Sequence, residues 1–268
     1  MSRSSTQQGF TLTELIIVIV LLGIISIIPI SFIRYSAQGA LDTANRQRLA
    51  MAAGVVSEQI SRDMRLALPG SVRLNASGRC LEFIPIMTST VYRNAPVMSA
   101  RPGFPVLALP GGDSSAGHAV IYPYAATTNE LYNPTTPGVL SPMTVALPAG
   151  SGTVNLTFDT GSHQFITDSP RRRVFLVNTP VTFCQEGRFI YRYRNYGFQP
   201  TVGAALPDTI GDGREVIGAP LEPGSLLFSV VPPSLQRNGL VTFEFALQSA
   251  QSAERIYVAQ EVQLRNVP

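Results

Sequence analysis

Residues Gly9 to Ile33 read GFTLTELIIVIVLLGIISIIPISFI. Behind Glu14, the run from Leu15 to Ile33 holds 19 residues without a charge. As a helix it spans ~28 Å, about the hydrocarbon thickness of a bilayer. A secretory signal peptide would place a shorter apolar region after a basic start and a small-residue cleavage pattern behind it. This run is long and no A-x-A pattern follows, so it predicts a hydrophobic anchor helix, within which Pro29 is tolerated. Arg3 precedes the run and Arg34, Arg46 and Arg48 follow it, so charge bias leaves its orientation undecided. Glu14 is the acid at its edge. A carboxylate there is either solvated in the headgroup layer or held by a partner.

Around this block stands a chain of 268 residues, 45% hydrophobic and 14% charged, too apolar to be disordered. Its 22 glycines and 21 prolines predict a loop-rich body. All 20 basic residues are Arg, which excludes lysine-dependent phosphate loops, Schiff-base chemistry and a Ser–Lys dyad. The net charge of +3 is too small to imply a nucleic-acid partner. Two His and two Cys leave little for a zinc site, and no cofactor is expected.

Downstream of the anchor, Leu41, Ala44, Leu49, Ala52, Val56, Ile60, Met64 and Leu68 recur mostly at three- and four-residue steps, an amphipathic stripe that Pro69-Gly70 stops. A helix from Phe10 to Leu68 would run ~88 Å. Its second half is therefore expected to pack under a β domain.

From Ser71 the period changes to two. Candidate strands are 71–74, 80–86, 119–124, 153–159, 173–178, 180–185, 188–196, 226–231, 240–247 and 254–265. Segments 97–117 and 129–152 are rich in Pro, Gly and Ser and read as long loops. The expected fold class is α+β, a long N-terminal helix on a mostly antiparallel sheet domain. His118 and His163 read as isolated loop residues, with no nucleophile elbow to serve. Asp208, Asp212 and Glu215 form a weak calcium candidate or a tight turn, since Ile210 and Ala219 stand where acids are needed. In the 188–196 strand Arg192 and Arg194 share one face and Phe189, Tyr191 and Tyr193 the other, which predicts aromatics inward and arginines outward. Together with Arg171–Arg173 they could instead line a basic groove.

Gly9, Phe10, then Glu14 ahead of a long apolar run resembles the type IV prepilin signal. That resemblance implies a leader of residues 1–9, cut after Gly9 by prepilin peptidase, and N-methylation of Phe10. It implies a transmembrane or filament-core helix at 10–33, its amphipathic continuation at 34–68 and an exported body at 69–268. The amino terminus would be cytoplasmic, the body periplasmic, and the chain a single-pass inner-membrane protein before assembly into a surface pilus. Glu14 would neutralise the terminal amine of a neighbouring subunit. Segments 57–74, 80–86, 174–198 and 261–268 are similar to the MshO family, minor pilin-like proteins of mannose-sensitive haemagglutinin (MSHA) pilus biogenesis. Partners implied are other minor pilins, the major pilin and the inner-membrane assembly platform. The J-type pseudopilins of type II secretion share the pattern more loosely, and a surface adhesin using the long loops is a further alternative. In an exported body, Cys80 and Cys184 would form a disulfide; otherwise they are two buried thiols.

Overall fold

The computed structural model describes residues 9–109, 116–146, 148–233, 237–249 and 254–264. The expected leader residues 1–8 and the tail 265–268 lie outside them. Two compact units divide the chain, Met1–Arg48 and Leu49–Pro268.

Helix α1 covers Leu12–Arg65, with Pro29 inside it. Both ends fall short of the expected Phe10 and Leu68, for local reasons. At the start, the Thr11 hydroxyl accepts the Glu14 backbone N–H at 3.3 Å. At the other end, Leu66 and Ala67 donate three residues back, to Asp63 and Met64, which tightens the last turn. The Leu68 N–H then donates to the Ile84 carbonyl at 2.8 Å, and Gly70, at φ 80°, turns the chain into the sheets.

In the second unit follow β1 (Arg73–Leu74), β2 (Cys80–Phe83), β3 (Ile86–Val91), β4 (Gly103–Leu107) and β5 (Ala116–Ile121). A 3₁₀ turn (Pro123–Ala125) and α2 (Thr128–Leu131) lead to β6 (Leu140–Ala146), β7 (Thr153–Thr157) and β8 (Arg173–Val177). Then come β9 (Val181–Glu186), β10 (Phe189–Tyr193), β11 (Arg214–Gly218), β12 (Leu227–Val231), β13 (Gly239–Gln248) and β14 (Arg255–Leu264). Every strand pairing described is antiparallel, and the sheets run β1-β2-β9-β10-β11, β12-β13-β14, β3-β8-β5-β6 and β4-β7.

The first two sheets share a core with the last turns of α1. Leu49, Ala53, Val56, Ile60, Met64 and Ala67 pack with Phe183, Ile190, Phe243 and Phe245. The helix's buried stripe begins at Leu49; Leu41 and Ala44, expected in it, are exposed. Gly218 allows the close approach of β11 to α1: a Cβ built there would stand 2.6 Å from Val56 Cγ2.

Residues 86–177 form a lobe inserted between two strands that are neighbours in the helix-packed sheet. β2 pairs with β9, Cys80 opposite Cys184, and the two cysteines are disulfide-bonded. The lobe begins and ends on another adjacent pair, with Ile86 of β3 opposite Val177 of β8. It holds its own core, including Phe104, Val106, Leu156, Phe165, Val174 and Leu176. Strands β4 and β6 stand within segments whose composition reads as long loop, and β3 and β11 are likewise additional to the expected strands. Positions 110–115 and 147 of those expected loops lie outside the described residues.

One buried polar node lies on β1, β2 and β9. Glu82 is fully buried and ion-paired with Arg73, whose Nε donates to Glu82 Oε2 at 2.6 Å. Tyr196 and Thr182 donate to the other carboxylate oxygen at 2.8 and 3.3 Å. The Arg73 guanidinium also lies over the Tyr132 ring, 3.4 Å from its centroid. Burial pushes the Glu82 carboxyl above its ordinary range, against the opposing pull of Arg73.

Candidate functional site

The chemistry singled out by the sequence begins at Gly9. Gly9 and Phe10 precede the helix, both exposed, Phe10 at 83%. Among the described residues beyond its chain neighbours, no atom lies within 4 Å of a Cβ built on Gly9. Gly9 and Phe10 thus stand ahead of the first helical turn. Thr11 fixes where the helix starts: besides its side-chain cap, its carbonyl accepts the Leu15 N–H at 3.2 Å. The spacing Thr11-x-x-Glu14 is the capping-box pattern. It puts Glu14 in the first turn, where the helix dipole favours a carboxylate. Thr11 was not among the expected site residues, although the T-x-x-E signal stands in the sequence.

From Leu12 to Ile33 the large apolar side chains described are exposed all round, among them Leu12 at 75%, Ile19 at 60% and Phe32 at 71%. A helix apolar on every side is stable only when covered by lipid or by other helices. This one is long and apolar enough to cross a membrane. The Ser26 hydroxyl donates to the Leu22 carbonyl at 2.6 Å, so this polar side chain is satisfied within the helix.

Other candidates in the body are differently disposed. Glu215 accepts from Arg192 at 2.7 Å and Arg194 at 2.5 Å, and these arginines hold its carboxyl below the usual range. Asp208 presents its backbone carbonyl to Arg214 at 2.7 Å. Among the described residues, no three acidic, His or Cys side chains gather as a metal site, so Asp208, Asp212 and Glu215 are not assembled into one. His163 departs from the loop reading. It is fully buried between Phe158 and Phe165, with Nδ1 2.8 Å from the Thr136 hydroxyl and Nε2 without a partner. Burial pulls its pKa down to about 4. His118 lies on β5, its Nδ1 2.9 Å from the Ser141 carbonyl.

On β10, Tyr191 and Tyr193 point inward as expected, but Phe189 is 44% exposed. Arg192 does not face open solvent: it reaches Asp63 of α1 at 2.8 Å, so it ties sheet to helix. Arg192 and Arg194 share Glu215, and Arg214 pairs with Glu186, so the basic-groove reading loses these charges to internal partners. A depression of about 350 Å³ on the β12–β14 sheet is lined by Ser229, Thr242, Glu244 and Glu261 among others, with neither His nor Cys.

Residues 4–28 match the family described as the prokaryotic N-terminal methylation motif. No curated protein and no solved structure matches the chain. The motif is the signal of type IV pilins and pseudopilins; it marks this chain as type IV pilin-like, and a signal of this type implies processing by a prepilin peptidase and assembly with other pilins.

Proposed function

We propose that this protein is a minor pilin-like subunit of a type IV pilus of the MSHA type, close to the MshO family, that primes or caps filament assembly. The observation that carries the reading is the methylation motif over residues 4–28, set on an apolar helix uncovered on all sides. Prepilin peptidase cuts after Gly9 on the cytoplasmic face, Phe10 becomes the N-methylated terminus, and the body stands in the periplasm until extraction. Residues 10–33 then exchange lipid for the helices of neighbouring subunits. Glu14 pairs with a neighbour's terminal amine, an interaction far stronger in that apolar setting than in water. Desolvation offsets much of the gain, so the pair acts chiefly to set register. The inserted lobe makes the body bulky, which suits a low-copy position at a filament end. Its partners are the other minor pilins, the major pilin and the assembly platform.

Mass spectrometry of the native protein tests the processing step. An amino terminus at methylated Phe10 is expected; a chain still carrying its first nine residues would overturn it. Glu14→Val is expected to keep membrane insertion and to lose co-purification with pili. Equal recovery of variant and wild type in sheared filaments would remove the register role. Gene neighbourhood separates this reading from a pseudopilin of type II secretion.

A further inference from the structure

The end of the lobe where β3 finishes and β8 begins carries Arg93, Arg101, Arg171, Arg172 and Arg173. Backbone pairing brings their two segments together. Val91 stands opposite Arg173, and the Tyr92 N–H donates to the Arg172 carbonyl at 2.8 Å. Arg101 ties its own loop by donating to the Asn94 carbonyl at 2.9 Å. The turn behind Arg172 is built rather than loose. The Ser169 N–H donates to the buried Tyr92 hydroxyl at 2.8 Å, and Arg172 N–H donates to the Ser169 carbonyl at 2.9 Å. Arg172 itself sits at φ 50°, a conformation that Arg seldom adopts.

Among the described residues none of these five guanidinium groups forms an ion pair, whereas Arg73, Arg192, Arg194, Arg214 and Arg255 each do. Asp168, the acid beside them in sequence, instead accepts the Tyr92 hydroxyl. Apolar side chains stand out among the arginines. Met98 is 94% exposed, on a loop pinned by Gln164 to the Val97 carbonyl at 2.9 Å and by the Phe165 N–H to the Pro96 carbonyl at 2.8 Å. Val91 and Leu107 are also exposed, and the Leu107 carbonyl accepts the Thr90 hydroxyl at 2.7 Å.

We propose that this end of the lobe docks on an anionic phospholipid surface. Guanidinium forks match phosphate oxygens, and unpaired arginines together with protruding apolar side chains are what a headgroup layer accepts. A nucleic acid fits less well. Single strands need aromatic platforms, and the exposed aromatic rings of the body, Phe189 and Tyr257, belong to other sheets. The proposal does not depend on cleavage at Gly9.

The test uses the full chain held in phosphatidylcholine nanodiscs and mixed with separate vesicles of phosphatidylcholine, with or without phosphatidylglycerol. Flotation is expected to carry the protein with the anionic vesicles only, and about 0.5 M salt should release it. At roughly fivefold per arginine, Arg93→Gln with Arg171→Gln and Arg172→Asn should weaken binding about a hundredfold. All three side chains are exposed, and Asn tolerates the Arg172 conformation, so the fold is kept; an unchanged circular dichroism spectrum checks this. Arg62→Gln, exposed on α1, is the control that should bind like wild type. Equal binding to both vesicle types, an unaffected triple variant, or capture of duplex DNA without capture of vesicles would each overturn the proposal.

Discussion

Cys80 and Cys184 face each other across the β2–β9 pair, their Cα atoms 4.4 Å apart and their sulfurs bonded. The bond clamps the two strands between which the lobe is inserted, and it closes a sequence separation of 104 residues. Replacing both residues by Ser should cost roughly 4–5 kcal/mol, on a chain-entropy account of a loop that long. Urea unfolding of the detergent-solubilised protein measures it. A loss under about 1 kcal/mol would mean that strand pairing alone closes the loop.

The contact between Gly218 and Val56 gives a second prediction. Gly218→Ala drives its new methyl against Val56 Cγ2, and the stiff β-branched side chain cannot swing clear. The expected cost is about 1–3 kcal/mol. Val56→Ala alone leaves a cavity; the double variant should be more stable than the sum of the two losses implies. Strict additivity in a double-mutant cycle would show that α1 and β11 do not press on each other at this point.

His163 makes the lobe sensitive to acid. Its folded pKa of about 4 lies below the unfolded value, so the unfolded chain takes up a proton first as pH falls. Its contribution is complete above about pH 6.5 and is lost on going down to about pH 4, up to ~3 kcal/mol. His163→Gln should flatten that part of the stability profile. A profile that keeps its slope in the variant would assign the acid sensitivity to other groups.

Maturation should respond to Gly9 for reasons outside this chain's own packing. Among the described residues a Cβ at Gly9 meets nothing beyond its chain neighbours, so Gly9→Val should leave folding and membrane insertion unchanged. Processing is expected to stop, seen as a slower-migrating precursor on a gel. Normal mobility of the variant would count against cleavage at this bond.

The anchor, the helix and the α+β class were legible because each is written as a long pattern. Nineteen uncharged residues and a stripe at three- and four-residue steps survive any local exception. The stripe keeps its spacing through Leu41 and Ala44, yet both are exposed and the buried stripe begins at Leu49, because spacing alone does not record where burial starts. Strands β4 and β6 were hidden by Pro105 and Pro142, which signal loop in a central strand but are admissible at an edge. Those strands are such edges: β4 belongs to a two-stranded sheet and β6 ends its four-stranded one. β3 reads IMTSTV, whose polar middle carries little hydrophobic alternation, and β11 is five residues that follow Gly213 and end in Gly218. The buried setting of His163 depends on Phe158, Phe165 and Thr136 meeting in space, which no short window of sequence records.

Because the 86–177 segment leaves and rejoins the scaffold through neighbouring strands, its two ends are already held at a fixed spacing by the framework. The segment is still not a free-standing insert: Leu131, Tyr132 and Val177 share a core with Leu68 and Ile84, and Tyr132 lies under Arg73, so foreign sequence could be grafted only away from that seam.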